Sequence, residues 1–364
     1  MSINVADFLL GTREERASEA SKIYSEATLA RYFCHSRMWK AAEDPFKGGE
    51  QLVDFIQGDD LGTADYYNPV QKFNVGNRDV LKQITVYWGF LQCHYPLLDE
   101  VVLLNANDAN KLVDYALNQE KAALVSSLNV QERGLFAKPN VATMETAALD
   151  DDQVRAPYSL LCFMTRDGLA PSSTNGGVAD GTADWTTVHG VPTSNPWWRN
   201  QTATYNTTTP TSGTDGVVPM FDELVEDTEF ELPDPIRTLG ESPTRSAQAI
   251  LTTRYGIPLY KQCLRAINDQ MERVSDPAIK GPQYEGIVLK SISELENLGW
   301  TATRPDYLWV DLSVVKPFVN PLFNGSEVVA ARTPEHINRT VVFKRWAHNR
   351  ICRSRRRLGR GYAV

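Results

Sequence analysis

Residue types able to do chemistry are sparse in this 364-residue sequence, and their spacing is poor for catalysis. Cys34–His35 and Cys93–His94 each join a thiol to an imidazole, the donor types of a zinc site. Adjacent side chains diverge on a helix or a strand, however, so neither pair makes half of a tetrahedron. The five cysteines (Cys34, Cys93, Cys162, Cys263 and Cys352) are scattered singly without a C-x-x-C pair, as expected of free, buried thiols in a reducing compartment. Asp150, Asp151 and Asp152 could collect a cation, although three consecutive carboxylates ordinarily form a solvated loop. None of the five histidines sits in a nucleophile setting, and no hydrolase, metalloprotease, phosphate-loop or dinucleotide motif is present. Four N-x-[ST] triplets, at Asn200, Asn206, Asn324 and Asn338, read as coincidence. The residues predict no catalytic centre, no metal and no cofactor.

Two other constellations suggest binding or packing. In Pro196-Trp197-Trp198-Arg199-Asn200, two large aromatics and a guanidinium interrupt a polar loop. Trp and Arg are the side chains that anchor interfaces, and paired tryptophans equally anchor a core. The second is the C-terminus. From Lys344 onward there are eight basic residues and no acidic one, leaving 29 basic against 45 acidic in residues 1–340. An acidic body thus ends in a cationic segment, with Arg353, Arg355, Arg356, Arg357 and Arg360 as candidate contacts to nucleic acid phosphates or to a neighbour's acidic face. A solvated end without a partner is the plain alternative.

The surrounding composition is that of a globular protein: 42% hydrophobic, 23% charged, net charge −8. No run approaches the roughly 20 apolar residues of a membrane span, and the first residues lack the pattern of a signal peptide. Thr12-x-x-Glu15 predicts a capped helix through about residue 33, with a small, weakly apolar face. Residues 51–57 and 81–92 read as strands joined by a polar, Gly-rich stretch, a long β-hairpin with an extended tip. Such a hairpin exposes edges that need a partner. Leu112, Ala116, Glu120, Leu124 and Leu128 step by four, predicting a helix over about 108–132 that Gly134 ends. Residues 168–216 hold no Lys and are rich in Thr, Ser, Gly, Asn and Pro, so they read as loops with short strands. Beyond 235 the pattern mixes strands at 249–255, 284–289, 307–311 and 341–343 with a helix opened by Pro258. The fold class is α+β.

The order of these parts resembles the tailed-bacteriophage major capsid protein, over residues 45–364. Gly48–Gln92, with YYNPVQKF and ITVYWGF, is similar to the family's extended loop and return strand. Residues 100–136 resemble its strand turn and spine helix, Gly168-Leu169 followed by NPWWRNQ its Gly-Leu to W-R-N passage, and His348-Asn349-Arg350 through Gly359 its terminal motif. The resemblance implies a Hong Kong 97-like capsid fold. It would comprise an N-terminal arm (1–44), an extended β-hairpin loop (45–100), a peripheral domain with the spine helix (101–200), an axial domain (201–322), a return to the peripheral domain (323–345) and a basic C-terminal segment (346–364).

What the resemblance implies for function is a structural subunit, not an enzyme. It would form pentamers and hexamers of an icosahedral head around double-stranded DNA, assembled in the host cytoplasm. Trp197, Trp198, Arg199 and Asn200 become assembly or packing anchors. The expected partners are further copies of the chain, a separate scaffolding protein, a portal protein, a decoration protein meeting the 168–216 stretch, and DNA held by non-specific contacts. Membrane contact is not expected. Lys72 and Lys82 carry no motif that marks them for cross-linking. The shell of a cellular nanocompartment and a hydrolase with an unrecognised site are the alternatives.

Overall fold

The computed structural model describes residues 34, 49, 51–57, 81–104, 109–145, 154–175, 184–208, 215–229, 248–267, 282–298, 304–329 and 339–364. The expected N-terminal helix, the hairpin tip, the Asp150–Asp152 run and Lys72 lie outside these residues.

The hairpin stem follows the sequence closely. β1 (Gln51–Gln57) pairs antiparallel with β2 (Leu81–Tyr87), from Gln51 opposite Tyr87 to Gln57 opposite Leu81. Alternation sends Leu52, Ile56, Ile84 and Val86 into the main core, whereas Val53, Phe55 and Leu81 stay exposed. The predicted single strand over 81–92 is instead two. The chain turns a corner at Trp88, whose indole donates to the Gly49 carbonyl at 2.9 Å, and β3 (Gly89–Leu98) begins. A Cβ on Gly89 would lie 2.9 Å from Pro157, so this corner is open only to glycine.

A short helix, α1 (Asp99–Leu104), stands where the resemblance implied a strand turn. It leads to the long α2 (Ala109–Leu135), which runs past the expected end. Gly134 is accommodated inside its last turn, where Leu135 and Phe136 are buried and hold the helix end down. One face of α2 covers a four-stranded sheet built on β13 (Arg339–Cys352). β3 lies along one side of that strand, and β11 (Val315–Val319) with β12 (Ser326–Val329) along the other. Only 341–343 were expected as strand there. Lys344, Arg345 and Arg350 are in fact ladder residues, because a central strand can carry long cations where a partner is waiting. Lys344 meets the buried carboxylate of Glu120 on α2.

The second sheet has six strands in the order β6 (Gln201–Tyr205), β14 (Gly359–Ala363), β10 (Tyr307–Asp311), β7 (Gln248–Thr252), β9 (Ile287–Ser291), β8 (Gln283–Tyr284). The single strand expected at 284–289 is a tight hairpin. Glu285 and Gly286 take φ of 48° and 84°, the paired positive values of a two-residue hairpin turn. Helices α4 (Val217–Glu229) and α5 (Gly256–Ile267) carry the other apolar faces of this half. Phe221, Tyr260, Tyr284, Tyr307 and Trp309 belong to its separate core cluster. Between α2 and β6 the chain forms α3 (Val141–Met144), the two-residue strands β4 (Thr187–Val188) and β5 (Val191–Pro192), and a 3-10 turn at Pro196–Trp198.

Candidate functional site

The two constellations singled out in the sequence meet in space. Trp198 is buried and its indole donates to the Val188 carbonyl at 3.1 Å, while Trp197 packs half-buried against the same core, its ring centroid 5.9 Å away. Arg199 points outward, held through Nε to the Thr193 carbonyl at 3.0 Å. Asn200 turns inward. Its Oδ1 accepts from the Thr165 amide, the Thr165 hydroxyl and Arg355, and its Nδ2 donates to the Thr165 and Gln201 carbonyls.

Arg355 is fully buried and reaches three backbone carbonyls besides Asn200: Phe163 at 2.9 Å, Trp198 at 3.0 Å and Leu169 at 2.9 Å. Carbonyl dipoles converging on one guanidinium stand in for lost water, which is what a buried charge requires. Burial lowers its pKa to about 10, so it is still a cation at neutral pH. Gly168 makes this junction possible. With φ of 74° it passes so close to the W-R-N turn that a Cβ would sit 2.9 Å from the Asn200 carbonyl oxygen.

The other terminal arginines are spent in the same way. Arg360 forks onto Asp306 at 2.9 and 2.6 Å and donates to the Met164 carbonyl, and Arg166 takes the same carboxylate from the other side at 3.2 and 3.0 Å. Arg357 pairs with Asp311 at 2.7 Å, and Arg353 with Asp54 of the hairpin at 3.4 Å. Arg356 is half-buried. The sequence reading offered these arginines as contacts to nucleic acid phosphates or to a neighbour's acidic face; within the single chain most of them turn inward. Arg353, Arg355, Arg357 and Arg360 are buried, and the acids and carbonyls they answer belong to their own chain.

Just upstream, Arg350 donates to the Tyr158 carbonyl at 2.7 Å, and Asn349 accepts from the Tyr158 amide at 2.9 Å. His189, in the β4–β5 turn at φ 57°, accepts through Nε2 from the Cys352 amide at 3.2 Å. Burial, helped by the Arg355 charge, lowers its pKa to about 3, so it is neutral. Residues 349–360 therefore stitch the hairpin, the 158–169 segment, the W-R-N turn and both sheets together. The sequence reading missed Thr165, Asp306 and Asp311, which are isolated polar residues with no motif around them. Only their position on or beside strands that must be buried could have marked them. Among the described residues no group of three or more His, Cys, Asp or Glu side chains could hold a metal ion. No described helix is long and apolar enough to cross a membrane.

This architecture matches solved structures over nearly its full length. The capsid asymmetric unit of cyanophage A-1(L) is 11% identical, with 86% of this chain covering 88% of that one at a TM-score of 0.51. The chain has a phage capsid fold. The capsid of cyanophage P-SCSP1u also matches, at 12% identity, 89% and 86% coverage and a TM-score of 0.48. No family model and no curated protein matches the chain. Among the described residues, most of the buried charged side chains belong to the arginine-stitched junction.

Proposed function

We propose that the chain is a phage major capsid subunit, assembling into pentamers and hexamers of an icosahedral head that encloses double-stranded DNA in the virion. The observation that carries this reading is a capsid fold whose hairpin stem holds Val53, Phe55 and Leu81 exposed along its outer face, with Phe55 53% accessible. A two-stranded ribbon with one wet apolar face is poorly stable alone and is completed by another surface. In a shell that surface is a neighbouring copy.

Within this reading residues 1–44 form the arm, 45–100 the extended loop, 101–200 and 323–345 the peripheral domain, 201–322 the axial domain and 346–364 the terminal segment. The separate core around Phe221 and Trp309 supports the division near 201, since it draws its members from residues 203–363. The partners are further copies, a separate scaffolding protein, a portal protein, a decoration protein and DNA met non-specifically, with assembly in the host cytoplasm. Trp197, Trp198 and Asn200 act as packing anchors rather than as interface contacts.

Expression with a scaffolding partner should give megadalton shells in sedimentation and negative-stain microscopy. Deleting residues 58–78 should leave a folded subunit that no longer closes shells. A wild-type chain that stays monomeric under these conditions overturns the capsid reading, and normal shells from the deletion overturn the hairpin's role. Nuclease-resistant DNA in purified particles separates a viral head from a nanocompartment.

A further inference from the structure

Asn324 differs from the other N-x-[ST] asparagines in the residue that follows it. It is one of two asparagines in the chain that precede a glycine, the other being Asn175. Glycine has no Cβ to shield its amide nitrogen, so in an Asn-Gly pair that nitrogen can reach the carboxamide of the preceding side chain. The structure treats the two pairs differently. Asn175 is buried and fixed: its Nδ2 donates to the Asp167 carboxylate oxygens at 2.7 and 2.8 Å and to the Ala170 carbonyl at 2.8 Å. Its Oδ1 accepts from the Ser172 amide at 2.7 Å, so the carboxamide is held away from its own backbone.

Asn324 is exposed, follows the 3-10 turn Pro321–Phe323, and makes no side-chain hydrogen bond among the described residues. Gly325 comes next in the left-handed region, at φ 70°. What restrains this pair is backbone alone. The Gly325 amide donates to the Arg345 carbonyl at 3.0 Å, and β12 begins at the following residue. An N–H engaged in that way neither loses its proton readily nor points at the Asn324 carboxamide. The restraint is only as firm as the strand behind it. β12 has four residues, pairs among the described strands with β13 alone, and ends in the exposed Val328 and Val329. Short edge strands lie at the low end of local opening free energies.

We propose that Asn324 is a site of spontaneous deamidation, gated by the opening of β12. When the strand lifts, hydroxide takes the Gly325 amide proton and the nitrogen attacks Cγ of Asn324. The N–Cγ bond forms as the Cγ–Nδ2 bond breaks, and ammonia leaves with a proton from water, which restores the hydroxide. A further water opens the cyclic imide, at Cγ to give aspartate or at the backbone carbonyl to give isoaspartate. Aspartate keeps the original backbone. Isoaspartate lengthens it by a methylene, so the Gly325 amide no longer meets the Arg345 carbonyl and the sheet edge stays loosened. The inference stands whether or not the subunit builds a shell.

Peptide mapping by mass spectrometry follows the reaction in the full wild-type chain, incubated at one pH in native buffer and in denaturing guanidinium chloride. Unfolded, Asn175 and Asn324 should convert at similar rates, because only the local sequence acts there. In the native chain Asn175 should remain an amide, while Asn324 converts about ten- to a hundredfold more slowly than when unfolded. That ratio should match the protection of the Gly325 amide in hydrogen exchange, since both report the same opening. A native Asn324 that converts as fast as the unfolded one overturns the gate. So does a ratio that departs from the exchange protection. Native loss of Asn175 at the rate of Asn324 overturns the distinction between the two sites, and with it the proposal.

Discussion

At the scale of single residues, the W-R-N turn separates an anchor from an ornament in adjacent positions. Asn200 engages both its amide atoms in an interior where Thr165 and Arg355 have no water to turn to. Truncating it abandons a buried N–H and one acceptor of a buried cation. Asn200→Ala should therefore lower the unfolding free energy by about 2–4 kcal/mol. Arg199 is exposed and makes one bond to a carbonyl, so Arg199→Ala should cost no more than about 1 kcal/mol. Urea denaturation of the unassembled subunit compares the two. The composition of the motif was legible, but the sequence could not say which of its four side chains turn inward. That depends on Gly168 passing behind the turn, 32 residues away in the chain, and on Arg355 arriving from the far end. Local spacing carries no trace of either approach.

At the scale of elements, periodicity was reliable wherever one face is buried and the other wet. The stem strand at Gln51–Gln57 and the long helix satisfy that condition: the strand falls where the pattern put it, and the helix is found there but runs on past its expected end. The largest failure has a physical cause. β13 is flanked by strands on both sides and reads as irregular because its cations are answered from other elements, as Lys344 is by Glu120. This pair is testable as a unit. The Lys344 and Glu120 side chains are 12% and 2% exposed, so removing Glu120 takes the buried partner from the Lys344 ammonium. Glu120→Ala alone should destabilise by about 3–5 kcal/mol, whereas the double change Glu120→Leu with Lys344→Met should recover most of that loss. A double-mutant cycle by chemical denaturation gives the coupling directly, and additive losses would show that the pair does not act as one.

At the scale of the whole molecule, the charge division takes on a structural meaning. The acidic body and the basic end are two parts of one interior: Asp54, Asp306 and Asp311 wait in strands and loops for arginines that arrive last in the chain. β14 also stands between β6 and β10, so β6 has no strand linking it to the rest of the sheet until residues 359–363 are in place. Removing residues 353–364 strips four buried guanidiniums from their carboxylates and carbonyls and cuts β6 off from the rest of that sheet, exposing Leu224 and Met220 where Gly359 and Gly361 pack against them. The expected result is a chain that fails to fold and is recovered insoluble, without the near-ultraviolet circular dichroism of a packed core. Arg356→Gln, at the half-buried position, should leave solubility, shell yield and packaged DNA per particle unchanged. If the end instead served the genome, the outcomes would be reversed: the truncated subunit would fold and form empty or poorly filled shells, and Arg356→Gln would already lower the DNA content. The two variants therefore distinguish a cationic end that completes the fold from one that binds nucleic acid, and the geometry of Arg355 and Arg360 predicts the first.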